Sequence, residues 1–229
     1  MIKVILWDID GTILDFIAAE KEAIKSTFAH FNLGEVTDED IKVYSAINKS
    51  YWKRLETGEL TKPQILKGRF VDFFKLKGIK FDDFDAFNAE YQVRLGDTVC
   101  FFDDSYNIIK TLKGKVKQYA VTNGTKLAQD RKLEKSGLID LFDGVFISEV
   151  VGAEKPSQVF FDKVFDQIGQ YEKGEVLIVG DSLSSDMLGG NNAGILCCWY
   201  DRGIDNLPES IRIDYRIGDL HKVLDILNN

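Results

Sequence analysis

The chain has 229 residues, and its 37 acidic side chains against 29 Lys and Arg give a formal net charge of −8. This acidic balance argues against binding to nucleic-acid polymers or anionic membranes, because Lys and Arg hold phosphate groups at such surfaces. The 2 His and 3 Cys are too few and too scattered for a zinc site or a disulfide framework, so any metal should have oxygen ligands.

The composition, 45% hydrophobic and 29% charged, is typical of a globular protein. The first apolar run is too short for a signal peptide, and no run of about 20 apolar residues predicts a membrane span. We therefore expect a cytoplasmic protein without a membrane partner, either a monomer or a small homo-oligomer.

Short apolar runs alternate with helical patterns along most of the chain. The strand-like runs cover residues 2–7, 118–121, 144–147, 176–179, 195–199 and 215–217. The helical patterns between them cover residues 104–112, 127–136, 158–168 and 184–192. This alternation indicates βαβ crossovers, and it predicts an α/β fold with a doubly wound, Rossmann-like, mainly parallel sheet.

The segment from residue 15 to residue 95 departs from this alternation because its pattern is almost wholly helical. Its predicted apolar helix faces contain Ile17, Ile24, Phe28, Phe31, Phe70, Phe73, Phe74 and Leu76. We interpret it as an inserted all-helical cap domain. The core domain is then predicted to consist of residues 1–14 and 96–229.

The first strand-like run ends in Asp8-Ile-Asp10-Gly11-Thr12. Carboxylates at positions i and i+2 of a strand end point the same way, so they need a cation or a proton between them. Gly11 permits a sharp turn after the strand. The same string also fits an ordinary polar turn.

A second acidic pair, Asp181 and Asp186, follows the apolar run 176–179. Asp181 could complete an oxygen site for Mg²⁺, which favours one or two carboxylates together with water and substrate phosphate. Asp186 could support that site, or it could be a helix N-terminal acid that interacts with the helix dipole.

Two further motifs lie at predicted strand ends. Thr122-Asn123-Gly124 offers a hydroxyl and backbone N–H groups to a phosphate oxygen, although it also fits a simple turn. Lys155 could hold a phosphoryl group as a point charge, or it could be a solvated lysine. Together the motifs supply a nucleophile, an acid, a metal site and a cation, which phosphoryl transfer through an aspartyl intermediate requires.

These motifs resemble those of the haloacid dehalogenase superfamily over essentially the whole chain, and the helical insert resembles that family's C1-type cap. The resemblance implies a phosphatase in which Asp8 is the nucleophile and Asp10 the general acid and base. It also implies that Mg²⁺ is bound by Asp8, Asp10 through its carbonyl, and Asp181, with Asp186 as support. The remaining catalytic and phosphoryl-binding groups would be Thr122, Asn123, Gly124 and Lys155.

Within that superfamily, the cap segments around Asn48, Trp52 and Arg69 resemble the noncanonical pyrimidine 5′-nucleotidases. This likeness implies that the substrate is a small phosphorylated metabolite, namely a pyrimidine nucleoside monophosphate, and that these three side chains lie near the nucleoside. Alternatively, Trp52 belongs to the core of the cap and Arg69 to its surface.

The core motifs also fit a sugar-phosphate phosphatase or a β-phosphoglucomutase-like enzyme. A phospho-receiver uses similar Asp, Thr and Lys residues. Receivers, however, are about half this length and have no helical insert.

Overall fold

The computed structural model describes residues 1–203 and 208–228. Within these ranges, no helix combines the length and the apolar character needed to cross a membrane.

The centre of the fold is a six-stranded sheet in which every neighbouring pair is parallel. In chain order its strands are β1 (Val4–Trp7), β2 (Lys117–Thr122), β3 (Gly144–Ile147), β4 (Val176–Gly180), β5 (Leu196–Tyr200) and β6 (Tyr215–Ile217). Their spatial order is β3-β2-β1-β4-β5-β6. β1 therefore lies between β2 and β4, and the central strands are buried on both faces, as their continuous apolar sequences predict.

Helices connect these strands and cover both faces of the sheet. They are α5 (Ser105–Leu112), α6 (Lys126–Ser136), α7 (Ser148–Val151), α8 (Gln158–Ile168), α9 (Leu188–Ala193) and α10 (Lys222–Asn228). The helix predicted over residues 184–192 differs, because its first part is a π turn from Leu183 to Met187. There the Met187 N–H donates to the carbonyl of Ser182, five residues earlier, at 3.1 Å.

Four helices form the segment between β1 and α5. They are α1 (Phe16–His30), α2 (Asp38–Glu56), α3 (Lys62–Lys77) and α4 (Phe84–Asp97). The side chains of Asp15, Thr37 and Asp83 accept backbone N–H groups at the starts of α1, α2 and α4. The prediction of a doubly wound sheet with an inserted helical cap is confirmed, while the boundaries 15 and 95 stay a prediction.

Aromatic side chains form the core of the cap. The rings in mutual contact include those of Phe28, Tyr44, Phe70, Phe73, Phe74, Phe87 and Tyr91, all buried. Two predicted members are exposed instead, namely Ile17 at 56% and Leu76 at 67%. Ile17 lies in the first turn of α1, ahead of the buried face, and Leu76 follows Phe74 by two residues, about 200° around α3.

The cap is joined to the core by helix packing and by polar contacts. α4 packs along α6, which starts directly after the loop that follows β2. At the far end of the cap, Lys62 donates a hydrogen bond to Ser148 and lies 3.6 Å from the carboxylate of Glu154. The cap therefore covers the carboxyl edge of the sheet.

Replacing Phe87 by Ala should destabilise the protein strongly. Its fully buried ring contacts the rings of five other Phe residues, so truncation leaves a cavity and removes about 3–5 kcal/mol from the free energy of unfolding. Urea unfolding of Phe87→Ala measures this loss. The control is Leu76→Ala in the same cap, which should change the free energy by less than about 0.5 kcal/mol. Similar losses of unfolding free energy in both variants would contradict the difference in burial between Phe87 and Leu76.

Candidate active site

The carboxyl ends of β1, β2 and β4 bring the predicted motif residues to one edge of the sheet. Asp8 directly follows β1, Thr122 ends β2, and Asp181 directly follows β4. They line a cavity of about 180 Å³, whose lining also includes Asp10, Asn123, Gly124, Lys155 and Asp186. In an open parallel sheet this edge is the usual position of a ligand site.

Lys155 is the central cation of this cavity, and its side chain is 1% exposed. Its Nζ donates to Asp8 Oδ1 at 2.8 Å, to Asp186 Oδ1 at 2.6 Å and to the carbonyl of Val121 at 2.8 Å. Burial lowers the pKa of Lys155, but the two carboxylates outweigh this effect and raise it above its ordinary value. Lys155 is therefore a charged, fully hydrogen-bonded group in the interior, and the alternative of a solvated surface lysine is excluded.

Asp8, Asp181 and Asp186 form a compact carboxylate cluster, with one oxygen of each within 4.8 Å of the others. Burial and the neighbouring Asp186 raise the pKa of Asp8 well above its ordinary value. The same two causes raise the pKa of Asp181 to about 6, although Arg202 lies 3.5 Å away. The cluster thus holds more negative charge than its cations balance, and its hard oxygen donors fit Mg²⁺.

Gly11 makes the close approach of two motifs possible. Its φ of +93° is a conformation that favours glycine, and a Cβ at this position would lie 2.6 Å from Asp181 Oδ2. The turn after β1 can therefore pass directly beside the Asp181 carboxylate.

The side chain of Asp10 points away from the carboxylate cluster towards α6. Gln129 Nε2 donates to Asp10 Oδ2 at 2.6 Å, and Lys132 forms an ion pair with Asp10 Oδ1. Lys132 is itself buried. Neither of these two α6 residues was predicted from the sequence. Their spacing of three residues on a predicted helix that begins just after Thr122-Asn123-Gly124 was an available signal, because such residues share one helix face.

The Thr122–Gly124 turn is held by its own side chains. The Gly124 N–H donates to Thr122 Oγ1 at 3.0 Å. The Asn123 amide donates to the Lys155 carbonyl and accepts from the Lys155 N–H, both at 2.8 Å. In this arrangement Asn123 connects the turn to the backbone of Lys155, so the two predicted phosphate-binding motifs keep a fixed spacing.

The cap contributes Phe16, Trp52 and Glu56 to the cavity. Trp52 was predicted, whereas Phe16 and Glu56 were not. The other predicted cap residues, Asn48 and Arg69, do not belong to the cavity lining and are buried between cap helices.

Asn48 and Arg69 instead belong to a buried polar network. Arg69 donates to Asn48 at 2.8 Å and to Asn88 at 3.0 Å, and Asn48 donates to Glu20 at 2.6 Å. The alternative of a surface position for Arg69 is therefore wrong, because its guanidinium pairs with groups inside the cap. Gln92 continues the network by donating to Asn88 and accepting from Thr125, the N-cap of α6.

A family model, a curated relative and a solved structure all indicate the same protein family. Residues 5–200 match the family model described as haloacid dehalogenase-like hydrolase. The chain is 34% identical over 227 residues to the HAD-hydrolase YfnB of Bacillus subtilis, covering 99% of this chain and 95% of that protein. A structure of YfnB bound to magnesium matches 100% of this chain and 99% of its own, with a TM-score of 0.93 and 32% identity.

Two similar relatives carry the name pyrimidine 5′-nucleotidase. PynA of Streptococcus pneumoniae is 34% identical over 229 residues, covering 99% of this chain and 95% of PynA. YjjG of Escherichia coli is 30% identical over 223 residues, covering 97% of this chain and 96% of YjjG.

The raised pKa of Asp181 predicts how the metal-free protein responds to pH. Between the ordinary value of 3.8 and about 6, the folded protein keeps a proton that the unfolded chain has lost, so stability falls as the pH rises through this window. Asp181→Asn removes this effect. Near neutral pH in EDTA, thermal unfolding should show the variant to be more stable, by at most about 3 kcal/mol.

Asp166→Asn, at an exposed acid, is the matched control and should bring no such gain. Adding Mg²⁺ should raise the unfolding temperature of the wild type more than that of Asp181→Asn. A variant that is less stable than the wild type in EDTA would contradict the charge imbalance at this cluster.

Proposed function

Because the chain belongs to the haloacid dehalogenase-like hydrolase family, we propose that it is a Mg²⁺-dependent phosphomonoesterase that hydrolyses pyrimidine nucleoside 5′-monophosphates. The observation that carries the proposal is the buried Asp8 carboxylate, which Lys155 and the Asp181–Asp186 segment surround at the floor of a cavity with aromatic side chains above it. The relatives named pyrimidine 5′-nucleotidase support the choice of substrate.

In the proposed reaction, an Asp8 carboxylate oxygen attacks phosphorus and the bond to the nucleoside 5′-oxygen breaks. Asp10 donates a proton to that leaving oxygen. Asp10 then accepts a proton from a water molecule, which attacks the aspartyl phosphate, releases phosphate and restores Asp8. Gln129 and Lys132 contact both oxygens of Asp10 from α6, and one of these contacts has to give way when Asp10 carries the proton, because an O–H group donates.

The phosphoryl group is bound by Lys155, the Thr122 hydroxyl and the turn at Asn123 and Gly124. The turn residues lie at the end of β2 before substrate arrives. Lys155, whose three N–H groups are all engaged, exchanges one of its hydrogen bonds for a phosphoryl oxygen when substrate binds. Asp186 supports these groups by holding the ammonium of Lys155.

Mg²⁺ would be held by the carboxylates of Asp8 and Asp181 and by the carbonyl of Asp10. When bound, the ion offsets negative charge on the carboxylates and on the phosphoryl group. The YfnB structure bound to magnesium supports the choice of the ion.

The leaving nucleoside would extend from the floor of the cavity towards Phe16 and Trp52. Aromatic rings stack on bases of any sequence because every base has a π face. Asn48 and both terminal nitrogens of Arg69 have hydrogen-bond partners inside the cap, so we assign these two residues to cap structure and leave base contact to Trp52.

A panel of phosphorylated metabolites tests this function directly. UMP and dTMP should be hydrolysed with Mg²⁺ and not in EDTA, and they should exceed sugar phosphates in kcat/KM. Asp8→Asn should lower kcat by at least about 1,000-fold, because it removes the nucleophile. Asp162→Asn, at an exposed acid, should leave turnover unchanged. If sugar phosphates have a much higher kcat/KM than both nucleotides, the proposed substrate is wrong. If Asp8→Asn retains normal turnover, the proposed mechanism is wrong.

Replacing Trp52 tests the contact with the base. Trp52→Ala should raise KM for UMP by about 5- to 100-fold because stacking is lost. For p-nitrophenyl phosphate, which lacks a nucleoside, the change should be much smaller. Trp52→Phe keeps an aromatic face and should retain most of the affinity for UMP. The measurement is the steady-state kinetics of the wild type, Trp52→Ala and Trp52→Phe on both substrates. An equal rise in KM for UMP and for p-nitrophenyl phosphate in Trp52→Ala would argue against stacking.

A further inference from the structure

Glu56 is the one carboxylate that the cap places in the catalytic cavity among the described residues. It is the last residue of α2, one helical turn after Trp52. Burial and the nearby Asp186 raise the pKa of Glu56 above its ordinary value. The proposed reaction gives it no role.

The position of Glu56 is fixed by the core. Ser184, in the π turn after β4, donates its hydroxyl to Glu56 Oε2 at 2.6 Å. Glu56 therefore belongs to the cap, but it is held by the segment that also carries Asp181 and Asp186. With the cap in this position, its carboxylate stays beside the space that a leaving group would occupy.

The charges around the cavity are strongly unbalanced. Its lining holds five carboxylates, those of Asp8, Asp10, Glu56, Asp181 and Asp186. Within the part of the chain that the structure describes, Lys155 is the one cation in that lining, and Asp8 and Asp186 already engage it. Lys132 forms an ion pair with Asp10 from α6, outside the cavity lining, and Arg202 lies 3.5 Å from Asp181.

A substrate phosphate adds further negative charge to this set, and one Mg²⁺ offsets only part of the total. A second anionic group on the leaving side would meet Glu56, and no cation in the described lining is left to pair with it. Like charges at close range in a partly buried site repel strongly. A hydroxyl or N–H group at the same place could donate to the carboxylate.

We propose that Glu56 is a specificity-determining residue that excludes phosphomonoesters whose leaving group carries a second negative charge. The accepted class then comprises esters with neutral or cationic leaving groups. This inference rests on the proposed phosphomonoesterase activity, but it does not depend on a nucleotide being the substrate.

The test compares three small esters of similar size that differ in the charge of the leaving group. They are ethanolamine phosphate, ethylene glycol phosphate and 2-phosphoglycolate, whose leaving groups are cationic, neutral and anionic. The wild type should favour the neutral ester over the anionic one by at least about 10-fold in kcat/KM. Glu56→Gln keeps the shape and an acceptor for Ser184, and it should reduce that ratio to about 3-fold or less. Because the readout is a ratio, a general loss of activity cancels.

The matched control is Glu59→Gln, which removes a charge near the same helix end but outside the cavity lining. It should leave the ratio at the wild-type value. The inference is overturned if the wild type turns over 2-phosphoglycolate as well as the neutral ester, or if Glu56→Gln leaves the ratio unchanged.

A binding measurement separates this inference from the proposed function. In Asp8→Asn, which cannot form the aspartyl phosphate, calorimetry should show weaker binding of 2-phosphoglycolate than of ethylene glycol phosphate. Adding Glu56→Gln to that variant should remove most of the difference. If no ester is hydrolysed but this binding difference is present, the proposed function fails and the role of Glu56 stands. Equal binding of both esters overturns the role of Glu56.

Discussion

Several carboxylates must share a small volume at the carboxyl edge of the sheet, and most other features of the site follow from that constraint. Asp8 and Asp181 directly follow the adjacent strands β1 and β4, and the π turn adds Asp186 to the same place. Like charges at this distance in the interior require compensation. Lys155 supplies part of it from a third segment, whose backbone is held in place by two hydrogen bonds with the side-chain amide of Asn123. The remaining imbalance is what makes the cluster suitable for a divalent cation.

The core was largely predictable because its determinants are local. Buried parallel strands need continuous apolar runs, so each run marked a strand to within about two residues, and β3 and β6 coincide with the predicted ranges. Polar residues directly after such runs must then lie at one edge of the sheet. For that reason Asp8, Thr122 and Asp181 could be grouped from sequence alone.

The cap side of the site could not be predicted in the same way. Helical periodicity predicts which face of a helix is buried, but not which neighbour it is buried against. Trp52 and Arg69 both lie on helices with buried faces, yet one lines the cavity and the other is enclosed by Asn48 and Asn88. Nothing in the sequence around Glu56 indicated a place in the site, because its position depends on the contact between the cap and Ser184 of the core.

The buried contact between Lys155 and Asp186 also has a consequence for how this sequence can diverge. Removing one member of a buried ion pair leaves an unpaired charge in the interior, whereas replacing both by apolar groups of similar volume can be nearly neutral for stability. Here Asp8 shares the same ammonium, so even a joint replacement leaves one carboxylate without its partner. Descendants of this chain should therefore keep the three residues together or lose them together, and natural variants that differ at only one of them should be rare.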